Sequence, residues 1–301
     1  MSYHFKNTQL RVVQKFAKQK MNLIPLSNTR IIILEHILPT TEQFIYTLAE
    51  RGTEFYKILA KPYSIDEKVY NRLKEKFPLE TKSYQELESS DFLKQLIINA
   101  IELCKKDAKN FIIIDVGGYF ARPLSELDDS LSSHITGVIE DTTFGHNRYL
   151  NYSTKIKASI FSVARSNLKE IEARFVGKDA VYAMDSILRK IGISIAGRNA
   201  LVIGYGMIGK NVARTLRSND LNVNVYDKED HKNLTAFTDG FHIHKKRELL
   251  KVADIIFLAT GNPDGALSYE EIEECFPLLK ITDNLKISLK ILMTRNKNVF
   301  L

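Results

Sequence analysis

The stretch NALVIGYGMIGKNVARTLRSNDLNVNVYD, residues 199–227, constrains this chain more than any other. Residues 200–203 are all apolar, which suits a short strand buried on both faces. The run leads into Gly204, Gly206 and Gly209, spaced G-x-G-x-x-G. Each glycine serves a different purpose. Gly204 allows a tight turn, Gly206 a close approach of backbone to a pyrophosphate, and Gly209 close packing of helix on strand. A helix starting near Met207 would aim its unpaired N–H groups and positive dipole end at that pyrophosphate, so Tyr205, Met207 and Ile208 belong to the same cradle. A second strand, residues 223–226, ends at Asp227, whose carboxylate would accept ribose hydroxyls and repel a 2′-phosphate. Strand, turn, helix, strand and acid in this order predict a Rossmann dinucleotide-binding unit that takes NAD in preference to NADP.

The chain of 301 residues has room for two domains, and 44% hydrophobic with 26% charged residues is the balance of a soluble globular protein. No apolar run reaches the roughly 18 to 20 residues needed to cross a bilayer. The basic N-terminus lacks the apolar core of a signal peptide, and Cys104 and Cys275 form no disulfide framework, so a cytoplasmic location is expected. The net charge of +7 is spread along the chain, and even Lys245-Lys246-Arg247 is a short cluster. This pattern reads as a solvated basic surface and not as a nucleic-acid interface. His242 and His244 alternate as strand residues do and are read as surface or strand histidines, with no metal site.

Ahead of the glycine turn, strands and helices alternate. A helix is expected over residues 9–20, a buried strand over 31–34 ending at Glu35 and His36, and a helix opened by Pro39 and Thr40 and stopped by Gly52. A strand over 53–59, helices over 64–77 and 90–106, and an apolar strand over 110–115 follow, the last running into Gly117 and Gly118. This order predicts an α/β protein of two domains with open parallel sheets, the C-terminal one a Rossmann fold. Ligands gather at the carboxyl ends of such strands, where His36 and Asp115 lie. The segment GVIEDTTFGHNRY has the polar, glycine-bearing character of a functional loop, and Lys169 stands in a polar stretch beyond it. A helix over 178–192 is expected to open the second domain, dividing the chain into 1–177 and 178–301. A strand over 253–258 ends in the small turn Ala259, Thr260, Gly261, Asn262, where bulk would collide with a dinucleotide, and a short acidic helix over 267–275 follows.

Taken together, these motifs resemble the S-adenosyl-L-homocysteine hydrolase family, NAD-dependent enzymes in which a substrate domain precedes a Rossmann domain. EHILPTTEQFIYTLAERGTEF resembles the family's H-M-T-x-x-T helix start, and IIIDVGGYF resembles its D-D-G-G-D turn. GVIEDTTFGHNRY is similar to its G-V-x-E-E-T-T-T-G loop, VIGYGMIGK to its G-Y-G-x-V-G-K, and ATGN to its T-T-G-N. The resemblance implies a nucleoside-like substrate, a homo-oligomer and tightly held NAD, which oxidises a ribose 3′-hydroxyl so that homocysteine can be eliminated and water added.

It also implies roles for particular residues. His36 falls on a proton-transfer histidine, and Asp115 on the first acid of the D-D-G-G-D turn. Glu140 and Asp141 match the paired acids that address the ribose, Thr142 and Thr143 two substrate-binding threonines, and Lys169 the lysine beside the 3′-hydroxyl. Several positions depart from the pattern. The second acid of the turn is Val116, its last is Tyr119, the third threonine is Phe144, and an aspartate one helical turn after Lys169 is Ala173. Nothing after Asn262 reproduces the family's G-H-F-D segment, so a C-terminally shortened member is expected. A valine cannot accept a proton, which leaves three expectations: NAD-dependent redox chemistry on a nucleoside-like or small polar substrate, a catalytically silent nucleotide-binding homologue, or a dehydrogenase of a small amino or hydroxy acid.

Overall fold

Strand β1 (Thr29–Ile37) buries Ile31 and Ile33 on one face and Ile32 and Leu34 on the other. A strand apolar on both faces needs helices on both sides, and that requirement shapes the first half of the chain. The computed structural model describes residues 10–19, 26–261, 266–268, 270–271 and the backbone of 290–293. The chain divides into two compact units, Met1–Arg165 and Ser166–Leu301.

In the first unit, helix α1 (Arg11–Gln19) precedes β1, and α2 (Pro39–Glu50) follows it with Pro39 in its first turn. Next come β2 (Glu54–Ile65), α3 (Glu67–Lys74), β3 (Leu79–Thr81), the single turn α4 (Tyr84–Leu87) and α5 (Ser90–Asp107). The unit continues through β4 (Asn110–Asp115), short helices α6 (Ala121–Ser125) and α7 (Asp129–Ser132), β5 (Ile135–Glu140), α8 (Thr143–Asn151) and β6 (Ile160–Ser162). The sheet order is β3-β2-β1-β4-β5-β6, and every neighbouring pair is parallel. The chain starts mid-sheet, builds outward to β3, then returns to the other side of β1. The loops leaving β1 and β4 therefore diverge, which opens a crevice at the carboxyl ends of those strands.

Ile32, Leu34, Leu59 and Ile113 pack with Leu93, Ile97 and Ile101 of α5, whereas Ile31, Ile33 and Ile58 pack with Ile45 of α2 and Val69 and Leu73 of α3. Each such side chain contributes on the order of 1.5 to 3 kcal/mol by leaving water. The helix expected over 64–77 starts later, because β2 runs to Ile65 and Asp66 then caps α3 by accepting from the Lys68 and Val69 N–H groups.

The second unit opens with α9 (Asn167–Lys190), followed by β7 (Asn199–Ile203), α10 (Met207–Ser218), β8 (Asn222–Tyr226), α11 (Asp230–Thr238), β9 (His242–Ile243), α12 (Lys246–Val252), β10 (Ile255–Leu258) and β11 (Lys290–Met293). Its sheet order is β11-β10-β7-β8-β9, parallel throughout except for β11, which runs antiparallel to β10. The switch point here lies between β7 and β10. Helix α9 passes unbroken through Gly177, the boundary expected from the sequence, and residues 166–177 group with the second unit. Its first half shows little apolar periodicity because small Ala173 and Gly177 form the buried side, while Leu168, Ile171 and Phe175 are exposed. Among the described residues no helix is long and apolar enough to cross a membrane. Most of the helix expected over 267–275 lies outside the described residues.

Candidate functional site

At the carboxyl end of the first sheet, strand register pairs Leu34 with Asp115 and Asp115 with Glu140. His36, one residue from the end of β1, and Asp141, just after β5, join the same edge. The two turn glycines have positive φ, +113° at Gly117 and +68° at Gly118, and their N–H groups point back at Glu140. The Glu140 carboxylate accepts from Gly117 N at 3.2 Å, Gly118 N at 2.9 Å, Thr142 N at 2.6 Å and the Thr142 hydroxyl at 2.7 Å. Thr142 Oγ1 in turn accepts from Gly145 N at 2.9 Å and caps α8. Glu140 and Thr142 are thus engaged in building the loop; Thr143 is the first residue of α8.

Asp115 is fully buried, and its Oδ2 accepts from Phe120 N at 3.0 Å and the Tyr149 hydroxyl at 2.8 Å. Its Oδ1 has no partner, and neither does the buried Nδ1 of His36, whose ring meets Tyr63 edge-on. Two orphaned polar atoms at one strand edge are costly, about 1 to 3 kcal/mol each, unless a ligand group meets them. The Asp141 N–H donates to the Asp115 carbonyl at 3.2 Å, which ties β5 to β4 at the site.

Lys61, near the end of β2, is a functional candidate that the motifs did not reveal. It is 3% exposed, its ammonium stands 5.3 Å over the Tyr119 ring, and its charge acts on Asp115, Glu35, Glu140 and Asp141. Burial holds its pKa below the ordinary lysine value. The one sequence signal was a lysine interrupting the apolar run ILAKPY.

Burial, then the neighbouring Asp115, pushes Glu140 up to about 7, while burial, then Lys61, pushes His36 down to about 4. These shifts act on stability with opposite sign. Folded Glu140 keeps its proton where the unfolded chain has lost it, so its contribution falls as pH rises from about 4.5 to 7, by roughly 3 kcal/mol in all. Folded His36 binds fewer protons than the unfolded chain between about 4 and 6.5, so its contribution rises over that window. Urea titrations of His36→Gln across this range are therefore expected to show a steeper loss of stability with rising pH than the parent chain. Parallel curves would contradict the assignment.

In the second unit the three glycines of the turn are distinguishable by what a side chain would meet. A Cβ on Gly204, which has φ +100°, would lie 2.5 Å from the Ala259 carbonyl oxygen, and one on Gly209 would lie 1.8 Å from the Gly204 carbonyl oxygen. A Cβ on Gly206 would meet nothing within 4 Å. Two glycines are thus required by the fold, and the third faces open space at the N-terminus of α10, where a pyrophosphate would be received. Met207 and Ile208 form the first turn of that helix.

Asp227 is buried, with its carboxylate accepting from Tyr205 N at 2.6 Å and Glu229 N at 3.0 Å. Asn233 brackets its backbone, accepting from Asp227 N and donating to Asp227 O, both at 2.7 Å. The expected ribose acid therefore also pins the glycine turn to β8. The Tyr205 hydroxyl donates to Asp239 at 2.7 Å, and its ring packs on Phe241. Thr260 and Gly261 follow β10, whereas Asn262 lies outside the described residues. Lys169 sits in the first turn of α9, paired with Glu172 at 2.6 Å, and Ala173 is buried on the same helix.

Residues 175–275 match the family model for the S-adenosyl-L-homocysteine hydrolase NAD binding domain. The chain is 26% identical to an adenosylhomocysteinase of Thermoplasma acidophilum over 262 residues, which cover 86% of this chain and 62% of that protein. It is 25% identical to the adenosylhomocysteinase of Thermotoga maritima over 275 residues, covering 90% and 66%. The S-inosyl-L-homocysteine hydrolase of Methanopyrus kandleri is 31% identical over 166 residues, 54% of this chain and 38% of that one. The chain thus spans less than two thirds of the length of these relatives. Among solved structures, the dipicolinate synthase A chain from Bacillus subtilis aligns at 13% identity and TM-score 0.47, covering 83% of this chain and 78% of that one. A glycine turn with the spacing of a dinucleotide site and relatives that match most of this chain point the same way: the chain is similar to the S-adenosyl-L-homocysteine hydrolase family, and its residues 175–275 match the NAD binding domain of that family.

Proposed function

We propose that the chain binds NAD at the glycine turn of its second unit and uses it in redox chemistry on a nucleoside-like or other small polar substrate held at the strand ends of the first. The observation that carries this reading is the Gly206 position, the one point of the turn where the missing side chain faces open space while both flanking glycines are sterically forced. Bound NAD supplies a hydride acceptor. The first unit supplies an unpartnered carboxylate oxygen on Asp115 to accept a substrate hydroxyl, and an unpartnered, neutral His36 Nδ1 to take a proton. Lys61 adds a positive charge that offsets part of the repulsion between the acids. Relatives named adenosylhomocysteinase and S-inosyl-L-homocysteine hydrolase support a nucleoside as the substrate class.

The elimination and hydration steps of hydrolysis have less support. Val116 and Ala173 are buried and apolar where the family pattern places acids, and neither can carry a proton. These two residues favour a second reading, a silent nucleotide-binding homologue. The readings separate in one experiment: NAD is sought by mass spectrometry after denaturing the purified protein, and nicotinamide reduction is followed on adding adenosine or inosine. Bound NAD that becomes reduced supports redox chemistry; bound NAD that neither nucleoside reduces favours the silent homologue, and a chain that cannot be loaded with NAD defeats the redox reading.

Gly206→Ala is the matching variant. Its φ of −78° is open to alanine and the Cβ meets nothing, so thermal stability should hold while NAD affinity drops at least about tenfold. Equal affinity in calorimetry would remove the pyrophosphate from this turn.

A further inference from the structure

The contact between α9 and α10 leaves a second concave surface on the second unit, running along α10 away from the glycine turn. Gly177 makes this contact close, since a Cβ there would lie 2.8 Å from Asn211 Cβ and 2.9 Å from Val212 N. Beside the crossing, Arg174 and Lys178 of α9 and Arg214, Thr215 and Ser218 of α10 line a groove of about 540 Å³, a volume suited to a small ligand. None of the residues lining the groove is acidic.

Arg174 and Lys178 are four residues apart, so their like charges lie on one face of the helix and repel. Among the described residues neither pairs with a carboxylate, whereas Arg72, Arg122, Arg189, Lys232 and Lys251 each hold one. Lys178 rests 5.6 Å over the ring of Tyr182, which also lines the groove. Arg214 reaches Asp239 only at 3.4 Å and shares that acid with Lys210 at 3.2 Å. The Thr215 and Ser218 hydroxyls donate to carbonyls of their own helix, and Asn211 Nδ2 donates to the Met207 carbonyl, so the charged donors of the groove are Arg174, Lys178 and Arg214. Three cations with at most a shared counter-charge, two of them one helical turn apart, match an anion with two adjacent charged groups better than a single carboxylate.

We propose that the groove between α9 and α10 is a binding site for a small diphosphate-bearing anion, distinct from the glycine turn. The ligand is either free pyrophosphate or the diphosphate of a nucleotide whose base would stack on Tyr182.

Calorimetric titration of the full chain with inorganic pyrophosphate, with and without excess NAD, tests this. Binding should persist with NAD present and weaken at least about tenfold in the double variant Arg174→Gln, Lys178→Gln. Arg214→Gln gives an independent second variant, and circular dichroism checks that each variant is folded. Titration with ADP separates the sources: Tyr182→Ala weakens ADP but not pyrophosphate if a nucleotide is the ligand, and leaves both unchanged if the free anion is. Absence of pyrophosphate binding, unchanged affinity in the double and Arg214 variants, or full displacement by NAD would each overturn the proposal. A failure of NAD itself to bind would count against the proposed redox function, while the comparison of parent and variant with pyrophosphate would stand.

Discussion

Alanine at position 209 is expected to abolish NAD binding and to lower the stability of the second unit by about 3 kcal/mol or more. The added methyl would lie 1.8 Å from the Gly204 carbonyl oxygen and 3.2 Å from Ala259 Cβ. The nearest obstacle is backbone, so no rotamer change relieves it, and α10 must move off β7. That movement would loosen Val212, Ala213 and Leu216, which are buried against the sheet. It would also displace the first turn of α10, whose N–H groups are the proposed phosphate donors. Thermal melts should show a drop of about 10 °C or more for a unit of this size. A variant with parental melting and NAD affinity would refute the packing role. Gly206→Ala is the internal contrast, because it tests the ligand's approach without disturbing the helix.

Gly145→Ala should be as damaging to the first unit. A Cβ at Gly145 would lie 2.2 Å from the carboxyl carbon of Glu140, inside the group that holds the Gly117-Gly118 turn and the start of α8. Displacing that carboxylate strands up to four donors in a buried place, a loss of about 3 to 5 kcal/mol. Hydrogen exchange at the Gly117 and Gly118 amides reports the effect directly and should accelerate well beyond that of the β4 amides. Gly192→Ala is the control. It has a positive φ of +76° and nothing within 4 Å of its Cβ position, so only backbone strain of about 1 kcal/mol is expected. Similar losses for the two variants would show that collision with Glu140 is not the cause.

Much of this was legible because periodicity and punctuation are local. The six apolar and terminal residues of β4 were bounded correctly from Asn110 to Asp115, since a strand buried on both faces has an unbroken apolar run. The glycine turn was legible for a similar reason: three glycines at fixed spacing between a strand and a helix suit few local structures besides a phosphate-binding turn. Helix α9 was only half legible, because its first turns bury small residues and expose large ones. Lys61 was not legible at all. A lysine in a strand usually turns to solvent, and only the convergence of β1, β2, β4 and β5 encloses this one.

The sequence by itself determined the alternation of strands and helices, the dinucleotide-type turn and the family resemblance, because these depend on residue order over short spans. Tertiary structure decided what the acids do. Glu140 and Asp227, which the motifs mark as ligand groups, are held within the protein by backbone N–H groups of turns distant in sequence, while Asp115 Oδ1 and His36 Nδ1 are among the buried atoms left unpartnered in the described residues. Hydrogen-bond satisfaction is a property of three-dimensional neighbours, and no spacing along the chain records which lone pairs are already taken.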